Sequence, residues 1–194
     1  MKTIHLTTIR MFGLFATLGL AMASAQTTIY SDDFSGSSAT DLHAEAPDIR
    51  PGSETWSAST LWKSDGTVGS APVGANAFLP FTPVAGRIYT LSATVDVTST
   101  SDDWLALGFT NGSDVDQYFH VIPNDPAAWM LERGGLGDSG YQTIAFMGPG
   151  ATGSTSAVSS DGPIALRVEL NTQNPLWSVS FYRNNVQMGR WAAP

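Results

Sequence analysis

"IYTLSATVDV", residues 88–97, alternates without a break. Ile88, Thr90, Ser92, Thr94 and Asp96 fall on one side of an extended chain. Tyr89, Leu91, Ala93, Val95 and Val97 fall on the other. A period of two places successive side chains on opposite faces of a strand, whereas an amphipathic helix needs apolar positions three and four apart. The stretch therefore predicts a strand with one buried face.

The same reading extends outward in both directions. "DWLALGF" (103–109), "YFHVI" (118–122), "AAWMLER" (127–133) and "YQTIAFM" (141–147) follow it. "PIALRVEL" (163–170), "LWSVSFYR" (176–183) and "VQMGRWA" (186–192) complete the series. Turn residues separate these runs, at Asn111-Gly112, Asp161-Gly162-Pro163 and Arg183-Asn184-Asn185. Asn tolerates positive φ at low cost, so "SFYRNNVQMG" predicts a tight hairpin. Asn111-Gly112-Ser113 also matches a glycosylation sequon, and the turn is the preferred reading. "TDLHAEAPD" (40–48) offers one helical turn at most, and no segment sustains helical periodicity. The glycine-rich pieces "SSATDLHAEAPDIRPGSETW" and "MGPGATGSTSAVSSDG" lack apolar alternation and are expected as surface loops. Many short strands with regular turns predict an all-β, antiparallel, two-sheet sandwich.

The N-terminus reads differently. Lys2 and Arg10 precede an uncharged apolar run from Met11 to Met22, and Ala23-Ser24-Ala25 is a small-x-small site. This is the pattern of a secretory signal peptide over 1–25. The run is shorter than the roughly 20 apolar residues that span a bilayer. Export is thus expected, to the cell envelope or beyond, with residues 26–194 forming one sandwich domain. Losing Lys2 and Arg10 would take the net charge from −8 to about −10. Such a chain repels phosphate backbones, which argues against nucleic acid, and it argues against anionic membranes for the same reason. There is no cysteine, so no disulfide framework stabilises the fold, and this suits a bacterial exported protein.

In order, "YSDDFSG" (30–36), "LHAEAPDIRPGSETWSAS" (42–59), "LPFTPVAGRIYTLSATVDV" (79–97), "DWLALGFTNG" (103–112) and "PLWSVSFYRNNVQMG" (175–189) resemble a known family. They are similar to the laminin-G-like, concanavalin-A-like sandwich of bacterial exported proteins of the PEP-CTERM class. The resemblance implies a jelly-roll sandwich, delivery to the cell surface or matrix, and no defined activity. It also implies a further strand and a sorting signal after residue 194, so that 26–194 is expected to be an incomplete domain. Similar sandwiches hold a structural calcium, for which the resemblance points to Asp32 and Asp33, with Asp102 and Asp103 as a second option.

A glycosidase of this fold would need two carboxylates on one strand face. Asp114 and Asp116 have the spacing but sit beside a turn, and Glu132 and Glu169 read as surface charges. His43 and His120 are too far apart in sequence for a zinc motif, and no nucleophile elbow is present. Four rings are candidates for stacking on a sugar face, namely Trp56, Trp62, Trp129 and Tyr141, although aromatic rings more often fill cores. The expectation is a non-catalytic surface or matrix protein that contacts a polysaccharide or an envelope component. The alternatives are a polysaccharide-degrading enzyme and a purely structural envelope protein. In "YSDDFSG", a regular strand would turn Asp32 inward with Tyr30 and Phe34, and Asp33 outward.

Overall fold

A computed structural model of the chain describes residues 3–5, 26–69, 74–97, 103–116, 127–134, 141–147, 153–158 and 162–192. Among the described residues the fold is all-β. The strands are β1 (Thr3–His5), β2 (Ser57–Ala58), β3 (Ala77–Phe78), β4 (Ile88–Asp96), β5 (Trp104–Thr110) and β6 (Ala127–Arg133). They continue with β7 (Gln142–Met147), β8 (Gly153–Val158), β9 (Ile164–Asn171), β10 (Ser178–Arg183) and β11 (Val186–Ala192). All pairings are antiparallel. One sheet has the order β1-β4-β9-β10-β11, a second is the meander β5-β6-β7-β8, and β2 pairs with β3. β1 lies inside the leader expected over 1–25 and occupies the outer edge of β4.

Alternation places the core as the sequence predicts. On β9, Ile164, Leu166, Val168 and Leu170 are buried while the residues between them are not. β4 contributes Ala93 and Val95 from the expected face. These pack with Val179 and Phe181 of β10 and with Leu105, Ala128, Met130 and Ala145 of the meander. The two larger sheets thus share one apolar core, the arrangement of a sandwich. The 26–81 segment closes it with Phe34, Leu42, Ala58 and Trp62. Leu42 lies within the 37–56 stretch expected as a plain surface loop, so that stretch supplies a core residue.

The β10–β11 hairpin turns on Asn184 (φ 46°) and Asn185 (φ 65°), the paired left-handed conformation of a tight hairpin. Two expectations need correction. Residues 153–158 were expected as loop, yet they form β8 along the edge of β7. An exposed strand edge recruits a neighbour through backbone groups, which apolar patterning does not report. Glu132 was expected on the surface, yet it faces the shared core at 1% exposure, with Thr143 Oγ1 donating to its Oε2 at 2.5 Å. The 118–122 run, with His120, lies outside the described residues, as does Asp102.

A second apolar cluster covers the other face of the meander. Trp129 lies between Trp104 (ring centroids 6.1 Å apart) and Phe146 (4.2 Å, stacked). Gly108 pairs with Trp129 across β5 and β6, and a Cβ there would come within 2.5 Å of both Trp129 Cα and Trp129 Cβ. Only glycine fits this approach.

Candidate functional site

The Asp32–Asp33 pair is not on a regular strand. Ser31 and Ile49 exchange backbone hydrogen bonds, Ser31 N to Ile49 O at 3.1 Å and Ile49 N to Ser31 O at 3.0 Å. This single rung brings Asp48 beside Asp32 and Asp33. The chain then bends sharply at Phe34, which takes φ 53°. Asp32 Oδ1 accepts the Phe34 amide at 2.8 Å, and Asp33 Oδ1 accepts the Ser35 amide at 2.9 Å. Such two-residue side-chain turns are what Asp favours in irregular backbone. Asp48 Oδ2 accepts the Asp33 amide at 3.0 Å and ties the two limbs together.

As a result the three carboxylates converge, with one oxygen of each within 4.8 Å of the others. Strand geometry would send Asp32 and Asp33 to opposite faces; the bend at Phe34 brings them to one side instead. Asp32 is half-buried and Asp33 is exposed. Asp32 Oδ2 also accepts from the Trp56 indole Nε1 at 2.7 Å, and the Trp56 ring leans on Phe34 at 5.8 Å.

Burial pushes the Asp32 carboxyl above its ordinary pKa, against the Trp56 and Phe34 hydrogen bonds that favour its charged form. The neighbouring charges of Asp48 and Asp33 push it further up. The donor set is all oxygen, three carboxylates on an open corner, and it lacks nitrogen or sulfur. Hard cations such as calcium take six to eight oxygens, typically carboxylates, carbonyls and water. The donor chemistry therefore fits calcium, with Asp32, Asp33 and Asp48 as the residues to hold it and water completing the shell. Asp48 escaped the sequence reading because nothing local links residue 48 to residue 32; only the Ser31–Ile49 rung does. Of the second calcium option, Asp103 sits at the start of β5, where its carbonyl accepts from Gly134 N at 2.8 Å.

The aromatic candidates do not gather. Trp62 is buried in the shared core, its Nε1 donating to Ala75 O at 3.1 Å. Trp129 is 1% exposed within its stack. Neither ring offers a face to a sugar, because those faces are already spent on protein. Trp56 and Tyr141 keep partial exposure, on the N-terminal segment and at the start of β7 respectively. Elsewhere, His43 Nδ1 accepts the Ala58 amide at 3.2 Å, a positioning contact within the same segment. Asp114 accepts the Asp116 amide at 3.0 Å, closing a loop turn. Glu169 pairs with Arg167 at 3.0 Å on the outer face of β9, and the Arg167 guanidinium lies 3.6 Å from the Tyr182 ring centroid. No family model, curated protein or solved structure matches the chain.

Proposed function

We propose that this chain is a non-catalytic, exported β-sandwich module of the cell surface or matrix, whose N-terminal segment is locked by one calcium ion at Asp32, Asp33 and Asp48. The convergence of the three carboxylates carries the reading. The ion would offset the mutual repulsion of three like charges and fasten the 30–49 limb to the core through Trp56. Support for a non-catalytic role comes from how the strand carboxylates are engaged. Glu132 is enclosed and bonded to Thr143, and Glu169 is paired with Arg167. The finer topology we propose is a concanavalin-like jelly roll, since β4 and β9 are neighbours across a long excursion through the other sheet. Polysaccharide contact then rests on Trp56 and Tyr141, the two candidate rings that keep partial exposure.

Thermal melts in calcium, in magnesium and in chelator test the calcium lock. Calcium should raise the midpoint in a concentration-dependent and chelator-reversible way, and Asp48→Asn should abolish the rise. An identical melt in calcium and chelator would refute it. Retention on polysaccharide gels, lost in Trp56→Ala, tests the glycan contact separately.

A further inference from the structure

Three exposed aliphatic side chains stand at one corner of the β4-β9-β10-β11 sheet. Leu176 is 85% exposed, Val84 61% and Ile88 48%. Single exposed apolar residues are ordinary, but a group on one corner is not. The register places them together. Ile88 begins β4 opposite Asn171, the last residue of β9, and Asn171 is opposite Ser178, the first of β10. Val84 lies on the loop that enters β4, and Leu176 on the loop that joins β9 to β10.

The two loops are bolted to each other. Thr172, fully buried, has Val84 O (2.7 Å) and Arg87 O (3.0 Å) within reach of its single hydroxyl proton and accepts the Arg87 amide at 3.0 Å. Its backbone accepts from Gly86 N and donates to Arg87 O, both at 2.8 Å. The Tyr89 hydroxyl takes the Val84 amide at 2.7 Å. The backbone groups around Val84 and Arg87 are therefore satisfied inside the protein. That is the condition for a loop to enter a medium without water, where an unsatisfied amide or carbonyl is costly.

Charge is segregated to match. No Asp or Glu occurs between Asp65 and Asp96, or after Glu169, although the chain carries 17 of them. The corner instead holds Arg87, next to Ile88, and Arg190, whose guanidinium reaches Ser178 Oγ at 3.0 Å. The nearest acid, Glu169 on β9, lies two residues before Asn171 and is already paired with Arg167 at 3.0 Å. An apolar tip beside two arginines on an acidic protein complements an anionic lipid surface.

We infer that Val84, Ile88 and Leu176, with Arg87 and Arg190, form a tip that inserts into the interface of an anionic bilayer. The net negative charge of the chain opposes approach, but that repulsion is screened beyond about 10 Å at 0.1 M salt. At contact the two arginines dominate. Insertion is shallow, since only three side chains project, and it is independent of the calcium lock.

The absence of cysteine makes a direct test possible. Full-length Leu176→Cys and Val186→Cys are each labelled with an environment-sensitive fluorophore. Val186, 69% exposed, lies at the other end of β10, beyond the Asn184–Asn185 turn. Vesicles of phosphatidylglycerol and phosphatidylcholine should shift the label at 176 to the blue and leave that at 186 in water. Pure phosphatidylcholine should do so more weakly. Val84→Ser should weaken the response of the 176 label about tenfold. Arg87→Gln and Arg190→Gln should weaken it about fivefold each at low salt. Equal responses at 176 and 186 would mean that adsorption is carried by another part of the chain, and would overturn the inference. So would a 176 label that never responds to vesicles, or one that responds to protein concentration without them, which would mark a contact between copies.

Discussion

Gly108→Ala should be strongly destabilising for a change of one methyl group. The added Cβ would lie 2.5 Å from Trp129 Cα and Cβ and closer still to the Ala128 carbonyl oxygen. Carbon atoms rest about 3.5–4.0 Å apart, so β5 and β6 must part by about 1 Å at this row. Parting them weakens one or two ladder hydrogen bonds, at about 1 kcal/mol each. It also disturbs the stack of Trp129 on Phe146, worth about 1 kcal/mol beyond area. The sum is about 3 kcal/mol, a large share of a stability that is typically 5–15 kcal/mol. With a urea slope of about 2 kcal/mol per molar, the midpoint should fall by about 1.5 M. Urea unfolding followed by tryptophan fluorescence measures this, and near-UV circular dichroism should show the ring stack altered. Gly86→Ala is the control. Gly86 has φ +82° with nothing within 4 Å of its Cβ, so it should lose only the backbone cost of about 1 kcal/mol. If the two variants lose the same stability, or Gly108→Ala loses less than about 1 kcal/mol, the close-approach reasoning is wrong.

Other outcomes follow from the same geometry. Thr172→Val removes the hydroxyl that serves Val84 O, Arg87 O and Arg87 N, and should cost about 1–3 kcal/mol in chemical denaturation. Asp32 has a folded pKa raised by burial, so its contribution to stability is complete below its unfolded value and is lost as pH rises through the folded one. In chelator, Asp32→Asn should therefore match or exceed the parent in melting midpoint at neutral pH and converge with it near pH 3. In calcium the order should reverse, and a parent that stays more stable in chelator at pH 7 would contradict the assigned shift. Asn185→Gly should stabilise by a few tenths of a kcal/mol because glycine meets φ 65° without strain, whereas Asn185→Val should cost about 1–2 kcal/mol by equilibrium unfolding. Thr143→Val removes the hydroxyl that donates to the enclosed Glu132 Oε2 and should cost about 1–3 kcal/mol; a neutral outcome would mean the contact carries no net stability.

Strand content was legible because it is written in nearest-neighbour alternation. The inward face of β4, the whole of β9 and the Asn184–Asn185 turn all follow from period and turn chemistry, which act within a few residues. β8 was not legible, since Ser, Thr and Gly have no apolar period and joined the sheet only because β7 presented an open edge. Glu132 was misplaced for a related reason. Its charge suggested solvent, but its parity on β6 is that of Ala128 and Met130, and the sheet's position fixed the outcome.

By itself, then, the sequence determined the class of fold, the spacing of its strands and the charge that the surface carries, because these depend on short-range order and composition. Only the tertiary structure decided which aromatic rings are enclosed, which carboxylates meet and which aliphatic side chains stand together. "YSDDFSG" shows the difference. Its two aspartates are adjacent in sequence, yet whether they diverge or converge depended on a left-handed bend at Phe34 and a rung to Ile49. Chain segments far apart in sequence meet through backbone pairing that no local pattern encodes, so the third carboxylate, Asp48, became visible only in the folded chain.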